Sequence, residues 1–201
     1  MLLIGLTGGI ATGKTVVSSM FVKSGAHLID ADVIARNVVK PNQPAWREIV
    51  ETFGESILDA KKEIIREKLA TAIFTDPEKR KQLEAITHPK IIEEENRLVN
   101  ELRKENKSGI TVLDAALLIE TGHHKQVDKL VVVYLDRKTQ LSRLMKRDSL
   151  SSAEAEKRIN SQMPLDEKIK LADYVIDNSK SLEEVEKQVF QIYKKLIVER
   201  G

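Results

Sequence analysis

With 201 residues, 41% of them hydrophobic and 32% charged, the chain can bury one α/β core of ordinary size and carry an insertion. That balance excludes disordered, collagen-like and low-complexity classes. The 33 Lys and Arg nearly cancel the 31 Asp and Glu, and a net charge of +2 argues against a dedicated nucleic-acid or membrane-surface binder. Cysteine is absent, which removes disulfide frameworks and thiolate metal sites and fits a reducing compartment. Residues 1–13 lack a basic start, and Lys14 interrupts them before a membrane span can form. A soluble, cytoplasmic protein without nucleic-acid or membrane partners is the expectation.

The first element is Leu2-Leu3-Ile4-Gly5-Leu6-Thr7, a short apolar run that predicts a buried parallel strand. Gly8-Gly9-Ile10-Ala11-Thr12-Gly13-Lys14-Thr15 follows and satisfies G-x-x-x-x-G-K-[ST] at every fixed position. Val16, Val17, Met20 and Phe21 then recur at helical spacing, so the motif lies between strand and helix, as a phosphate-binding loop must. Gly8 and Gly13 let the backbone turn tightly enough for successive N–H groups to face phosphate oxygens, and the helix N-terminus adds to the attraction. Lys14 is placed to reach the β- and γ-phosphates, and the Thr15 hydroxyl to ligate Mg²⁺. Chance produces this pattern in under roughly 1% of chains this long. Gly8, Gly9, Ala11, Thr12, Gly13, Lys14, Thr15 and Val16 are therefore the expected nucleotide-binding residues.

Gly25-Ala26-His27-Leu28-Ile29-Asp30-Ala31-Asp32 reads as a second strand ending in Asp-x-Asp. Residues i and i+2 of an extended strand share a face, so Asp30 and Asp32 are expected to project together from its carboxyl end. Ligands of open α/β sheets sit at that edge. A carboxylate there can orient an acceptor hydroxyl and take its proton during phosphoryl transfer, the role expected of Asp32, or contact Mg²⁺ through water. A helix cap is the competing reading, because Asp30 or Asp32 precedes Val33-Ile34-Ala35-Arg36.

From Asn37 to Lys107 no buried-strand run occurs. Four helices are predicted instead, over Pro44–Phe53, Ile64–Phe74, Pro77–Ile86 and Pro89–Lys104. His88-Pro89 marks the boundary between the last two, since proline disfavours helix in the residue before it and suits a first turn. An insertion of about seventy residues far exceeds an ordinary crossover and suggests an acceptor-binding region.

Ile110-Thr111-Val112-Leu113-Asp114 predicts a third strand, with Asp114 either near Mg²⁺ or capping the following turn; Lys129 to Leu135 predicts a fourth. Residues 137–163 then hold seven Lys and Arg against three Asp and Glu. Such a run is commonly a solvated helical face. Arg143 and Arg147, however, are spaced i, i+4, and Arg158 lies in a helix opened by Ser151-x-x-Glu154. Two arginine-bearing helices joined by a polar turn make a lid whose guanidinium forks pair with phosphate oxygens. Tyr174 to Asn178 predicts a fifth strand, and Ser181-x-x-Glu184 opens a last helix with Leu182, Val185, Val189, Ile192 and Leu196 at 3-4 spacing, expected to dock on the core.

Leu6-Thr7-Gly8-Gly9-Ile10-x-x-Gly13-Lys14-Thr15, followed by Ile29-Asp30-Ala31-Asp32-x-Ile34-Ala35-Arg36, resembles the dephospho-coenzyme A kinase family. Later stretches match in the family's order: Ile86-Thr87-His88-Pro89, Asp114 to Glu120, Gln140 to Asp148, Arg158-Ile159-x-x-Gln162, and Ala172 to Asn178. Two departures are visible, Ala11-Thr12 where the family usually carries Gly-Ser, and Ala116 where it commonly has proline.

The resemblance implies Mg²⁺ with ATP as co-substrate and dephospho-coenzyme A as acceptor. It implies Asp32, Lys14, Arg143, Arg147 and Arg158 as catalytic residues, with Gln162 a further residue of the lid. Asn178 would lie near the base, and Asp30, Asp32, Arg36, His88 and Leu117 would bind the acceptor. The expected fold is a P-loop NTPase-type five-stranded parallel sheet flanked by helices. Residues 1–36, 108–136 and 172–201 would form its nucleotide-binding core, 37–107 the helical acceptor region and 137–171 the lid. Another P-loop small-molecule kinase, such as a nucleoside monophosphate kinase, and a non-catalytic nucleotide-binding module are the alternatives. A switch GTPase is excluded, because D-x-x-G is absent and Asn106-Lys107-Ser108-Gly109 fails N-K-x-D. The sequence leaves the oligomeric state undecided, with a monomer favoured.

Overall fold

A computed structural model of the chain describes residues 1–74, 76–105 and 108–199. The expected region boundary at Lys107 and the expected core end at 200–201 lie outside the described residues. Along the chain run β1 (Leu2–Gly8), α1 (Lys14–Lys23), β2 (His27–Asp30), α2 (Ala31–Asn37), α3 (Pro44–Phe53), α4 (Arg66–Phe74) and α5 (Pro77–Glu105). They are followed by β3 (Ile110–Asp114), β4 (Lys129–Tyr134), α6 (Arg137–Asp148), α7 (Ser152–Asn160), α8 (Leu165–Leu171), β5 (Tyr174–Asp177) and α9 (Leu182–Glu199). Two compact units result, one of Met1–Asp30 with Leu102–Gly201 and one of Ala31–Glu101.

The first unit holds a parallel sheet in the order β2-β3-β1-β4-β5. Alternate residues of the strands serve opposite faces. Ile4, Leu6, Ile110, Val112, Val131, Val133 and Ile176 pack with Val17, Met20 and Phe21 of α1 and with Val185, Val189, Ile192 and Leu196 of α9. The intervening Leu3, Thr111, Leu113, Leu130 and Val132 are buried as well. Both faces are therefore covered, which is why the strands read as continuous apolar runs rather than alternating ones. Gly5 has no side chain because one would meet Leu118 Cδ2 at 2.5 Å. The register sets Asp30 beside Asp114, so two carboxylates meet where β2 and β3 end, with Leu6 of β1 alongside.

Helix ends follow local chemistry. Ser151 and Glu154 form a reciprocal capping box at α7, and Ser181 and Glu184 exchange the same bonds ahead of α9.

Two expectations need correction. The predicted second strand stops at Asp30; Ala31 opens α2 and Asp32 lies in its first turn, so the two aspartates do not share a strand face. Helices predicted on either side of His88-Pro89 are one, and Pro89 lies inside α5. A proline there removes one helical bond and costs about 3 kcal/mol, which a 29-residue helix with apolar residues at Ile91, Ile92, Leu98, Val99 and Leu102 can absorb. The two compact units change over between Asp30 and Ala31 and between Glu101 and Leu102, and 137–171 falls in the unit that holds the sheet. The reason is packing. Val33 and Arg36 of α2 line a cavity with residues of α4 and α5, while Leu144, Ala155 and Ile159 pack with Ile10 and Ala11 of the glycine-rich loop.

The helical unit buries one acid. Glu95 of α5 is 6% exposed, and burial pushes its carboxyl up to about 7. Because the folded value is raised, its stabilising contribution is complete below about pH 4.5 and is lost as pH rises through 7. Glu95→Gln should therefore flatten the stability profile between pH 5 and 7.5, a change of at most about 3 kcal/mol, measured by urea unfolding at both pH values.

Candidate active site

Gly8 ends β1 beside Val133 of β4, and the chain turns back on itself before α1. Thr12 closes the turn twice on the Gly9 carbonyl, through its backbone N–H at 3.2 Å and its hydroxyl at 2.8 Å. Gly13 has φ 87°, and a Cβ there would strike Asn178 Nδ2, so only glycine fits. Lys14, Thr15 and Val16 form the first turn of α1; Val16 N–H donates to Gly13 O at 2.9 Å, and the helix offers no carbonyl of its own to the N–H groups ahead of it.

The loop is gripped from outside. Gln162 Oε1 accepts from Ile10 N at 2.7 Å, and Gln140 Nε2 of α6 donates to Ile10 O at 2.9 Å. Asn178, just past β5, donates from Nδ2 to Thr12 O at 2.6 Å, and its own carbonyl accepts from Arg143 Nη2 at 3.4 Å. Both sides of the loop are held this way, and a glycine-rich turn fixed ahead of a helix is the backbone arrangement from which an anion nest is built.

Lys14 Nζ pairs with Asp114, which is 3% exposed. Burial pushes the Asp114 carboxyl above its ordinary value; Lys14 and Ser18 pull it down, and neighbouring Asp30 raises it again. A phosphate entering the nest would compete with Asp114 for the lysine. Thr15, Asp30 and Asp114 supply hard oxygen donors of the kind Mg²⁺ takes. Among the described residues no three His, Cys, Asp or Glu converge on a metal position. An ion here would thus draw most of its ligands from phosphate and water.

The arginines fall into two sets. Arg143 sits at the Asn178 side of the loop. Arg147 binds Asp148 through Nε and Nη2 at 2.8 and 3.1 Å, and Arg158 Nη1 binds it at 2.9 Å. Arg147 above all, with Arg158, holds the Asp148 carboxyl below the usual carboxylate range. Both guanidiniums are about half exposed, and such pairs contribute about 1 kcal/mol or less, so a phosphate can displace the aspartate.

Of the expected acceptor residues, Asp32 and Arg36 are exposed on α2, and His88 is exposed on α5. Leu117 lies in the turn after β3, 47% exposed. Within the helical unit Arg36 lines a cavity of about 480 Å³ with Lys40, Arg66, Val33, Ile64 and Leu69. His88 is not among its lining residues, although Thr87 is.

Comparison with known proteins decides the kinship. A family model described as dephospho-CoA kinase matches residues 2–184. The chain belongs to the dephospho-CoA kinase family. A dephospho-CoA kinase of Oceanobacillus iheyensis is 47% identical over 196 residues, covering 96% of this chain and 97% of that protein. The solved dephospho-CoA kinase of Campylobacter jejuni superposes with a TM-score of 0.76 at 29% identity, over 99% and 98% of the two chains. Shikimate kinase from Aquifex aeolicus shares the fold, with a TM-score of 0.51 at 17% identity over the whole of both chains. The sheet is thus a P-loop kinase sheet.

Membership in the dephospho-CoA kinase family gives the two departures a physical reading. Ala11 has φ 61°, a left-handed conformation that costs a residue with a Cβ about 1–2 kcal/mol, so glycine there avoids strain. Ala116 contributes its carbonyl, which accepts from Thr7 Oγ1 at 3.1 Å and from Lys168 Nζ at 3.0 Å. Proline carries the same carbonyl, so either residue serves.

Sequence reasoning missed Gln140, Glu120 and Lys168 as residues bound to the loop or its surroundings. Gln140 lies in a quoted motif, but nothing in its spacing points to Ile10. The pairing of Lys14 with Asp114 was equally hidden, the two being a hundred residues apart.

Proposed function

We propose that the chain transfers the γ-phosphoryl group of Mg-ATP to the ribose 3′-hydroxyl of dephospho-coenzyme A, giving coenzyme A and ADP. One observation carries the reading: the family match from residue 2 to 184 takes in the phosphate loop, Asp30-x-Asp32 and all three lid arginines together. The hydroxyl oxygen attacks the γ-phosphorus while Asp32 takes its proton, and the bond to the β-phosphate oxygen breaks with ADP leaving. Lys14 leaves Asp114 for the β- and γ-phosphates. Thr15 provides an oxygen for the Mg²⁺ that arrives with ATP, which offsets phosphate charge. Gly8, Gly9, Ala11, Thr12, Gly13 and Val16 form the cradle around those phosphates, and Asn178 lies beside the base.

Arg143, Arg147 and Arg158 neutralise charge spreading over the transferring group, the step where preorganised cations count most. Closure of 137–171 over the nucleotide excludes water, the competing acceptor. For the acceptor, Asp30, Arg36, His88 and Leu117 remain the proposed contacts. The 480 Å³ cavity adds an apolar wall with Arg36, Lys40 and Arg66, suited to a long amide-bearing arm and a pyrophosphate. Consumption of ATP accords with a cytoplasmic location. Among the described residues no helix is long and apolar enough to cross a membrane.

The test is ADP release from Mg-ATP with dephospho-coenzyme A, beside AMP, adenosine and shikimate. Dephospho-coenzyme A should be preferred by at least about 100-fold in kcat/KM, with coenzyme A as product. Preference for a control acceptor would keep the P-loop kinase and discard this substrate.

A further inference from the structure

Among the described residues Lys168 of α8 is the only buried lysine, and it is 0% exposed. Its ammonium meets three acceptors: Gly8 O at 3.3 Å, Ala116 O at 3.0 Å and Glu120 Oε1 at 2.8 Å. That number matches the three N–H donors it owns. A buried ion pair is seldom the most stable way to fill such a space, since a packed apolar side chain of similar volume commonly does as well. Packing alone therefore does not account for a cation here.

What the acceptors share is their position around the phosphate loop. Gly8 is the residue at which β1 gives way to that loop. Ala116 lies two residues beyond Asp114, the partner of Lys14. Glu120 also accepts from Met163 N at 3.1 Å, and Met163 adjoins Gln162, whose side chain grips Ile10 at 2.7 Å. One ammonium thus ties together the entry of the loop, the segment after β3 and, through Glu120, the chain returning from α7. All three bear on the same cradle, and none of the three donors is left for a phosphate.

We propose that Lys168, acting with Glu120, is a positioning residue for phosphoryl transfer. It keeps the phosphate loop, the Asp114 segment and the Met163 segment in one register, so that the loop donors and Lys14 meet the transferring group at the right place. The proposal rests on the kinase reading above, yet it concerns the nucleotide half of the site, which any P-loop kinase acceptor would use. Displacement of such a cradle by about 1 Å costs on the order of 100-fold in rate.

Lys168→Met, close in length but without charge or donors, should lower kcat about 30-fold at pH 7.5 while KM for the acceptor stays within about twofold. Lys168→Arg restores the charge and several donors and should recover kcat to within about fivefold of wild type. Glu120→Gln keeps an oxygen but loses the charge, and should lower kcat about tenfold, with no further loss when combined with Lys168→Met. Rates are read per folded molecule, the folded fraction taken from circular dichroism, and always relative to wild type with the best acceptor found. Absence of wild-type turnover with dephospho-coenzyme A would overturn the substrate, not this inference. Wild-type kcat in folded Lys168→Met, or fully additive losses in the double variant, would overturn the inference. If Lys168→Met does not fold, Lys168→Arg near wild type together with the Glu120→Gln loss supports it, and wild-type kcat in Glu120→Gln refutes it.

Discussion

Asp32→Asn should lower kcat about 10³-fold while leaving the affinity for ATP within about twofold of wild type. The substitution preserves shape and removes only the ability to take a proton. Its stability cost should be small, because Asp32 is exposed in the first turn of α2. A large kinetic effect with a small structural one separates the base from its bland alternative as a helix-end residue. Steady-state ADP release gives kcat, and calorimetric titration with ATP gives the affinity. If Asp32→Asn turned over within about tenfold of wild type, proton transfer would have to be assigned elsewhere, with Asp30 the next carboxylate to change. Asp30 closes β2 beside Asp114, so its neutralisation should also move the Asp114 carboxyl downward, an effect Asp32→Asn is not expected to share.

How much of this was legible in the sequence depended on the range of the interaction. Strand 1, its loop and α1 follow from residues that are neighbours in the chain, and the capping boxes at Ser151 and Ser181 each span three residues. The three inner strand runs, β3, β1 and β4, were legible because a sheet covered on both faces needs no alternation. Boundaries failed where two local signals competed. At Asp30-Ala31-Asp32 extended and helical readings were both available, and the helix won at Ala31, whose methyl is buried with Ile34. At His88-Pro89 a strong local breaker was overruled by the length of α5. The contacts that set the loop were illegible for a different reason. Gln162 to Ile10, Asn178 to Thr12 and Lys168 to Gly8 each join residues more than a hundred and fifty positions apart. No periodicity encodes them, since each depends on the sheet order that carries the α7–α8 connection, α8 and the end of β5 back to β1.

Lys14→Met is expected to lower kcat/KM for ATP by about 10³-fold, and its effect on stability is the more informative half of the result. In the proposed reaction Lys14 would turn from Asp114, with which it pairs here, to the phosphates once the nucleotide arrives. Removing the lysine strands a buried carboxylate, and breaking a buried pair from one side costs about 3 kcal/mol. The Asp114 carboxyl is already raised by burial against the pull of Lys14, so without Lys14 it rises further. A raised acid stabilises the fold fully below its unfolded value near 3.8, and that contribution is lost as pH climbs through the folded value. Lys14→Met should therefore be least impaired at pH 4.5 and most impaired at pH 7.5, when compared with wild type in urea. Adding Asp114→Asn replaces the stranded charge with a neutral amide. The double variant should regain most of the stability at pH 7.5 and none of the activity, because no cation returns to the phosphates. Recovery of both would mean that the loss of activity came from the stranded Asp114 charge and not from the missing cation at the phosphates. Recovery of neither would place the instability in the loop backbone, where Ala11 already holds a strained conformation.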